Sequence, residues 1–211
     1  MATSSAPQEI FVLRATLTSP FGRKVRLAAD VLGLAERVRV VHADVNDQND
    51  SLRRQNPLGK MPCLVREDGS AIFDSSVIVE FLQWVSGTER LFPAAGAQRF
   101  VQLTRAKLAD GIMDAGAAII YEGRWHDEAK ASEPWREYQR GKIRRALASF
   151  EADPPDAARS DGVAIGLACA LEFLERRQPL DSQAACPRLC AWLADFARHE
   201  PGYARIKAGD A

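Results

Sequence analysis

Several features that define whole classes of protein are missing from this sequence. Its 28 basic and 28 acidic side chains cancel, so the formal net charge is zero. Such a balance predicts neither a nucleic-acid partner nor binding to an acidic membrane. No stretch approaches the roughly 20 apolar residues that cross a bilayer. Residues 1–9 are polar and small and lack the regions of a secretory signal, so we expect a cytoplasmic protein.

Cysteine and histidine are scarce as well. The chain has four cysteines and three histidines, and a cytoplasmic protein is not expected to build a disulfide framework from so few thiols. Cys186 and Cys190 are four residues apart, as on one helix face, but no histidine stands at ligand spacing from them. We interpret both as small core-facing thiols and predict no metal site.

The first part of the chain reads as a small mixed sheet with helices. Short apolar runs predict four strands, at 10–13, 38–41, 63–65 and 71–73. Ser19-Pro20 predicts a helix start, because Ser is a preferred N-cap and Pro suits the first helical position. A second helix is predicted over 77–85. Strand–helix–strand units give parallel pairs, and the hairpin around Asp68-Gly69 adds antiparallel strands.

The character of the sequence changes after a linker at 87–98. From there on the apolar residues recur at helical spacing, with no convincing strand, and predict helices over 99–120, 133–150, 162–176 and 187–199. Residues 163–171 are all small or apolar, so we expect that helix to be buried on all sides. The predicted domains of this chain of 211 residues are therefore 8–86 and 99–208, joined by the linker.

Four motifs resemble those of the glutathione transferase superfamily. Residues 19–26 resemble the first-helix motif of its serine-type classes such as tau, and 56–62 resemble the loop that carries the family's cis-proline. Residues 73–75 resemble its acidic-serine motif, and 187–193 its C-terminal helix. The motifs stand in order, at the family's spacing, across nearly the whole chain. The chain is therefore identified as a member, similar to tau-like and related bacterial proteins.

The resemblance implies both a fold and a function. The fold is α/β plus all-α: a thioredoxin-like N-terminal domain with a mixed sheet, followed by an all-helical C-terminal domain. The implied activity is a cytoplasmic detoxification reaction, in which the thiolate of glutathione, the co-substrate, attacks a small hydrophobic electrophile. The family also implies a homodimer, without metal, nucleic acid or membrane as partners.

The same resemblance assigns glutathione-binding roles. Asp74 would meet the α-amino group of glutathione, and Ser75, at a helix start, its γ-glutamyl carboxylate, which a helix N-terminus attracts. Asp and Ser are also preferred helix caps, so simple capping is the alternative. The backbone of Met61, before a cis Pro62, would pair with the central peptide unit, and the Met61 side chain needs no special chemistry.

The resemblance suggests less specific roles at the glutathione site for three further residues. Phe21 belongs to the first-helix motif that the family uses at the glutathione site. Lys60 would meet the glycine carboxylate of glutathione, with a solvated surface lysine as an equal alternative. Arg23, one turn into the first helix, would add positive potential there, but we expect it to be a solvated arginine.

Ser19 is the catalytic residue that the resemblance implies. A hydroxyl that donates to the thiolate, together with the adjacent helix N-terminus, would lower the thiol pKa by roughly one to two units, or about 1.4–2.7 kcal/mol. Thr18 is the alternative donor. No cysteine stands near this place and the chain has no C-x-x-C, which argues against thiol–disulfide chemistry.

The second substrate is expected to bind against the first helix of the helical domain. Met113, Ala117 and Tyr121 are four residues apart and are our candidates for lining that pocket, with Trp125 as another. A core-facing stripe is the alternative interpretation of this spacing. Three rival functions share the fold: a non-catalytic ligand-binding protein, a specialised glutathione-dependent isomerase, lyase or dehalogenase, and a scaffold with an empty site.

One helix start departs from the family's pattern. The buried helix usually opens with a Ser/Thr-x-x-Asp capping box, whereas Asp161 and Ala164 occupy those positions here. Asp161 or Ser160 is expected to cap the helix, with up to about 1 kcal/mol of local stability missing.

Overall fold

A computed structural model of the protein describes residues 9–127, 129–177 and 186–208. The chain forms two compact units. Among the described residues, the N-terminal unit runs to Arg90 and includes 205–208, and the helical unit lies within Leu91–Ala204. Residues 1–8, which the sequence predicts to be a loose tail, lie outside the described residues.

The N-terminal unit is built on one mixed sheet. Its strands are β1 Phe11–Arg14, β2 Val38–Val41, β3 Cys63–Val65 and β4 Ala71–Phe73. Their order across the sheet is β2-β1-β3-β4. β1 is parallel to β2, while β3 is antiparallel to both β1 and β4. The predicted mixed sheet and hairpin are confirmed, and Phe11 and Leu13 point from alternate positions of β1 into the core.

Three helices accompany the sheet. They are α1 Pro20–Val31, α2 Leu52–Gln55 and α3 Ser75–Ser86, and a short 3-10 turn covers Ala35–Arg37. As predicted, Ser19 caps α1, with its Oγ accepting from the N–H of Gly22 at 3.2 Å, and Pro20 is the first helical residue. The sequence did not predict α2, because four residues carry no readable period.

The helical unit consists of long helices with the predicted spacing. They are α4 Ala97–Trp125, α5 Glu133–Ala152, α6 Gly162–Arg177 and α7 Pro187–His199. The short helix α8 Pro201–Ala208 follows, and the boundary between the units falls within it, after Ala204. The bounds of α7 agree with the prediction, α4 extends to Trp125 instead of residue 120, and α8 was not predicted. No strand occurs among the described residues between Leu91 and Ala204.

Helix α6 forms the interior of the helical unit. Every residue from 162 to 170 is buried, which confirms the prediction except at Leu171, where the side chain is half-buried. Asp161 caps the helix, with Oδ1 accepting from the N–H groups of Val163 and Ala164 at 3.0 Å. The alternative cap, Ser160, is wrong, because these N–H groups donate to Asp161, while the Ser160 hydroxyl donates to Glu200 at 2.6 Å.

A cap from another helix fixes the start of α7. Both carboxylate oxygens of Glu151, near the end of α5, accept backbone N–H groups of α7, from Arg188 at 2.8 Å and Leu189 at 2.9 Å. The indole N–H of Trp192 donates to the carbonyl of Pro155 at 2.6 Å, and its ring stacks on Phe196. The segment between α5 and α6 shows no periodic pattern of apolar residues, and polar contacts with α7 hold it in place.

Candidate functional site

The loop between β1 and α1 presents Ser19 at the N-terminus of a helix. The Ser19 Oγ accepts from Gly22, so its hydroxyl hydrogen is available to donate elsewhere. A side chain at Gly22 would place a Cβ 3.1 Å from the Cβ of Ala15 and 3.3 Å from the carbonyl oxygen of Thr16. The absence of a side chain at position 22 therefore lets the first turn of α1 lie against the loop that carries Ser19.

The two candidate hydroxyls differ in their position relative to the helix. Ser19 is half-buried and is the N-cap itself. Thr18 is exposed, and its Oγ1 lies 3.5 Å from the Oγ1 of Thr16. The positive end of a helix dipole acts over the first turn, so it would stabilise an anion beside Ser19 more than an anion beside Thr18.

Arg23 is not the solvated arginine that we expected. Its side chain is only 2% exposed. Its Nε donates to the carbonyl of Leu17 at 3.0 Å, two residues before Ser19. The expectation is wrong because the loop preceding α1 supplies a carbonyl acceptor, and a buried guanidinium needs such partners. Arg23 thus holds the backbone from which Thr18 and Ser19 project.

The loop that precedes β3 folds around the buried side chain of Asn56. The Asn56 Nδ2 donates to the carbonyl of Lys60 at 2.8 Å, and the Asn56 Oδ1 accepts from the N–H of Leu58 at 3.0 Å. Gly59 has φ of 60°, a left-handed conformation that suits glycine. The Met61–Pro62 peptide bond is cis. The sequence predicted a turn here but not the role of Asn56, whose signal is an amide side chain at the start of a tight loop.

Met61 connects this loop with the loop of Ser19. Its Sδ lies 3.2 Å from the backbone nitrogen of Thr16, which donates to it. The N–H of Ser19 in turn donates to the carbonyl of Thr16 at 3.3 Å. The sequence did not predict this contact of the Met61 side chain, which is separate from the backbone role expected of Met61. Lys60, next to Met61, is exposed, which fits both a lysine that meets the glycine carboxylate of glutathione and a solvated surface lysine.

The structure shows which of the two residues Asp74 and Ser75 caps α3. Asp74 is the cap of α3: its Oδ1 accepts from the N–H of Ser76 at 2.8 Å, and its φ of 67° is unusual for a residue with a side chain. Ser75 is the first residue of the helix, so its backbone N–H has no partner within α3. The hydroxyl of Ser75 is therefore not the cap.

A buried lysine brings α1 close to the start of α3. The Nζ of Lys24 lies 3.5 Å from the Oγ of Ser76, and the Lys24 side chain is nearly inaccessible. The sequence did not suggest this role, although Lys24, like Arg23, stands among the buried residues of α1. Through Lys24 and Met61, the three segments that carry Ser19, Met61 and Asp74–Ser75 are linked within the N-terminal unit.

Phe21 and the predicted pocket residues belong to different units of the chain. Phe21 is half-buried in the first turn of α1. On α4, Met113 is fully buried, Ala117 is half-buried and Tyr121 is exposed, with the guanidinium of Arg124 lying 5.2 Å from its ring centroid. Along this stripe, Met113 belongs to the core of the helical unit and Tyr121 is accessible.

The cysteines do not add to the site. Cys63 is buried directly after Pro62, and burial raises the pKa of its thiol. Cys186 is buried and its thiol pKa is raised by burial, by Glu151 and by Cys190, but Cys190 is exposed, so our expectation of two core-facing thiols fails for Cys190. In the described ranges, no group of three or more potential ligands is placed to hold a metal ion. Nor is any described helix long and apolar enough to cross a membrane.

Comparison with known proteins establishes the family. The model of the glutathione S-transferase N-terminal domain matches residues 18–83, which include the three linked segments. The uncharacterized GST-like protein YibF of Escherichia coli strain K12 is 32% identical over 165 residues, covering 76% of this chain and 80% of that protein. The chain belongs to the glutathione transferase superfamily.

Solved structures agree with this membership. A glutathione transferase family member from Pseudomonas fluorescens Pf-5 with bound glutathione is 35% identical, with a TM-score of 0.85 over 93% of this chain and 98% of that chain. The same family member with bound S-(propanoic acid)-glutathione is 35% identical over the same shares, with a TM-score of 0.81. These likenesses confirm a thioredoxin-like N-terminal region and a helical C-terminal region.

Proposed function

We propose that this protein is a glutathione transferase that conjugates the glutathione thiolate to small hydrophobic electrophiles. The observation that carries the proposal is the linkage of three chemically different segments in one unit. They offer a helix N-terminus, a carboxylate, a loop with backbone hydrogen-bonding groups and a serine hydroxyl. Glutathione has a carboxylate, an ammonium group, a peptide unit and a thiol that match these groups one by one.

Binding would use the following groups. The first N–H groups of α3 and the hydroxyl of Ser75 receive the γ-glutamyl carboxylate, since a helix N-terminus favours an anion. The carboxylate of Asp74 receives the α-amino group. The main chain of Met61, before Pro62, pairs with the peptide unit, and the exposed Lys60 and the half-buried Phe21 complete the glutathione site.

Ser19 would provide the catalytic contribution. Its hydroxyl accepts from Gly22 and is still able to donate to a thiolate, and a charge-assisted bond of this kind is stronger than a neutral one. Together with the dipole of α1, it stabilises the anion and not the thiol, which lowers the thiol pKa. Ser19 acts in this reaction as an anion stabiliser and not as a nucleophile.

The electrophile site and the domain limits are proposed on the same basis. The family member from Pseudomonas fluorescens binds S-(propanoic acid)-glutathione, a sulfur-substituted glutathione, which supports a site open beside the sulfur. We assign the lining of the second pocket to Ala117 and Tyr121, with the accessible Tyr121 as the member to test first, and leave the fully buried Met113 to the core. The domain limits proposed remain 8–86 and 99–208.

A homodimer is proposed from the surface of the N-terminal unit. Trp84 is 77% exposed, and Val77, two turns earlier on α3, and Phe73 at the end of β4 are exposed as well. Large exposed apolar side chains grouped on neighbouring elements are typical of an interface. Light scattering coupled to size exclusion should give a dimer mass that Trp84→Glu converts to a monomer mass.

The decisive experiment measures glutathione binding and the ionisation of the bound thiol. Calorimetry gives the affinity, and ultraviolet absorbance of the thiolate across pH gives the thiol pKa. We expect a thiol pKa roughly one to two units below that of free glutathione, and we expect Ser19→Ala to abolish most of that decrease.

A matched control separates catalysis from helix capping. Ser132 caps α5 in the helical unit, with its Oγ accepting from the N–H of Trp135 at 3.3 Å. Ser132→Ala therefore loses about 1 kcal/mol of cap stability, as Ser19→Ala does, but should leave the thiol pKa unchanged. Bound glutathione with an unshifted thiol in the wild type would instead indicate a binding protein, and no binding would refute the proposed function.

A further inference from the structure

Arg14 connects β1 with a segment for which the sequence predicted no structure. It is the last residue of β1, and its side chain is only 7% exposed. Its Nη2 donates to the Asp50 carboxylate at 2.7 Å and to the carbonyl of His42 at 3.1 Å. Its Nη1 donates to the Oγ of Ser51 at 2.5 Å and to the Oε1 of Gln55 at 2.9 Å. A planar guanidinium with four such acceptors fixes their relative positions.

Three of the four acceptors of Arg14 lie at the two ends of α2. Ser51 precedes the helix, Gln55 ends it, and Asp50 also accepts from the N–H of Leu52 at 2.7 Å and of Asp44 at 2.8 Å. A helix of four residues has too few internal bonds to be stable alone. Its position is therefore set by Arg14 and by the packing of Leu52.

The same helix supports the loop of Met61. Leu52 is fully buried in a cluster with Ala43 and Cys63, against which Met61 packs. The N–H of Asn56 donates to the carbonyl of Leu52 at 2.7 Å, and the Asn56 side chain holds the carbonyl of Lys60. A continuous set of contacts thus runs from Arg14 through α2 and Asn56 to the backbone of Met61.

We propose that Arg14 is a positioning residue for glutathione: by fixing α2, it sets the place of the Met61 backbone that pairs with the peptide unit. The proposal rests on the proposed function of the site. Neither Arg14 nor Gln55 needs to touch glutathione, so both act only through the loop. Loss of the Arg14–Gln55 bond should raise the Kd for glutathione without changing the pKa of its bound thiol, because that pKa depends on Ser19.

The test compares two substitutions at the same half-buried position. Gln55→Glu keeps an oxygen that accepts from Arg14, whereas Gln55→Leu removes it. We expect Gln55→Leu to raise the Kd for glutathione about fivefold, as one lost hydrogen bond would, and Gln55→Glu to remain at the wild-type value. Arg14→Met, which removes all four bonds, should raise it by roughly tenfold or more.

A control variant accounts for lost stability. Glu200 is a buried carboxylate of the helical unit that accepts from Ser160 and from the N–H of Gly202 at 3.0 Å. Glu200→Gln should lower the unfolding midpoint while leaving the Kd unchanged. Unfolding curves for all variants establish that the affinity belongs to folded protein.

The outcomes are distinct. A wild-type Kd in Gln55→Leu overturns the proposal, and so does an equal loss in Gln55→Glu and Gln55→Leu. A shifted thiol pKa in Gln55→Leu also overturns it, since that would indicate a general loosening of the unit. If Arg14→Met does not fold, the Gln55 pair decides alone. Absence of glutathione binding in the wild type would refute the proposed function, and the role of Arg14 with it, before any variant is compared.

Discussion

In the described part of the N-terminal unit the buried charged side chains are cations, Arg14, Arg23 and Lys24, whereas in the helical unit they are the carboxylates Asp110, Glu172 and Glu200. Arg14 and Arg23 hold irregular backbone by donating to its oxygens. In the helical unit, by contrast, residues 162–170 of α6 are all buried and carry no charged side chain. Loops that present backbone groups to a ligand cannot satisfy one another as a helix does, so side chains must hold them. Under the proposed function, these cations would also suit an anionic ligand.

The largest effect is expected where the packing of the helical unit is interrupted. A Cβ at Gly162 would lie 2.1 Å from the Cζ of Phe92 and 2.5 Å from its Cε1. Since the buried ring has little space to move, we expect Gly162→Ala to lower the free energy of unfolding by about 3 kcal/mol. Urea unfolding measures this loss, and glutathione affinity of the folded protein should not change.

The same substitution at another glycine provides the control. Gly111 is exposed in α4, and a Cβ there would meet nothing within 4 Å. Alanine is the better helix former, so Gly111→Ala should raise the free energy of unfolding by up to about 1 kcal/mol. Equal effects at the two positions would show that packing against Phe92 is not what limits position 162.

The next effect concerns the polar network of the N-terminal unit. The N–H groups of Leu52 and Asp44, together with Arg14, hold the pKa of Asp50 below its ordinary value. A carboxyl with a lowered pKa stabilises the folded protein above its ordinary pKa, and the contribution disappears as the pH falls through the folded value. We expect Asp50→Asn to cost about 2 kcal/mol at pH 7 and progressively less below about pH 3.9.

Unfolding of wild type and Asp50→Asn in urea from pH 7 down to pH 2 checks this prediction. The two curves of free energy against pH should converge in acid. A constant difference across that range would mean that the charge of Asp50 contributes nothing and that only the shape of the side chain matters.

The smallest effect sharpens the contrast between the units, because Asp161 responds to pH in the opposite direction. Burial raises the pKa of Asp161, and its bonds from the N–H groups of Ala164 and Val163 offset this only in part. A carboxyl with a raised pKa stabilises the folded protein less as the pH rises from its ordinary value through the folded one. Asp161→Asn keeps a capping oxygen and should gain on wild type as the pH rises above about 3.9.

Asp161→Ala separates capping from charge. It removes the oxygen that Val163 and Ala164 donate to and should lose about 1 kcal/mol relative to Asp161→Asn at every pH. Unfolding in urea between pH 3 and pH 7 compares the three proteins. If Asp161→Asn lost stability relative to wild type as the pH rose, burial of the charged carboxylate would not be the main influence on its pKa.

Regular elements were predictable from the sequence because their signals are local. The strands β3 and β4 and the helix α7 were found with their bounds, since each is a periodic or apolar run between breakers. Ser19, Met61–Pro62 and Asp74–Ser75 were found as motifs, through resemblance, and the structure links the segments that carry them.

What could not be predicted depends on residues distant in the chain. Arg14 reads as a polar end of β1, and its four acceptors come 28 to 41 positions later. The cap of α7 comes from Glu151, 37 positions before Arg188. A charged side chain carries no sign of its partner in its immediate sequence, so Arg23 was expected in solvent and is buried.

The tryptophans give the two units different optical properties. The N-terminal unit contains Trp84 alone, which is already in water. The helical unit contains the exposed Trp125 and Trp135 and also Trp192, which is buried and bonded to the carbonyl of Pro155. Unfolding of the helical unit should therefore shift the fluorescence maximum, while unfolding of the N-terminal unit changes it little. Fluorescence then reports on the helices, and, under the proposed function, loss of glutathione binding reports on the sheet. A heating curve followed by both signals would therefore show directly whether the two halves of the molecule melt together.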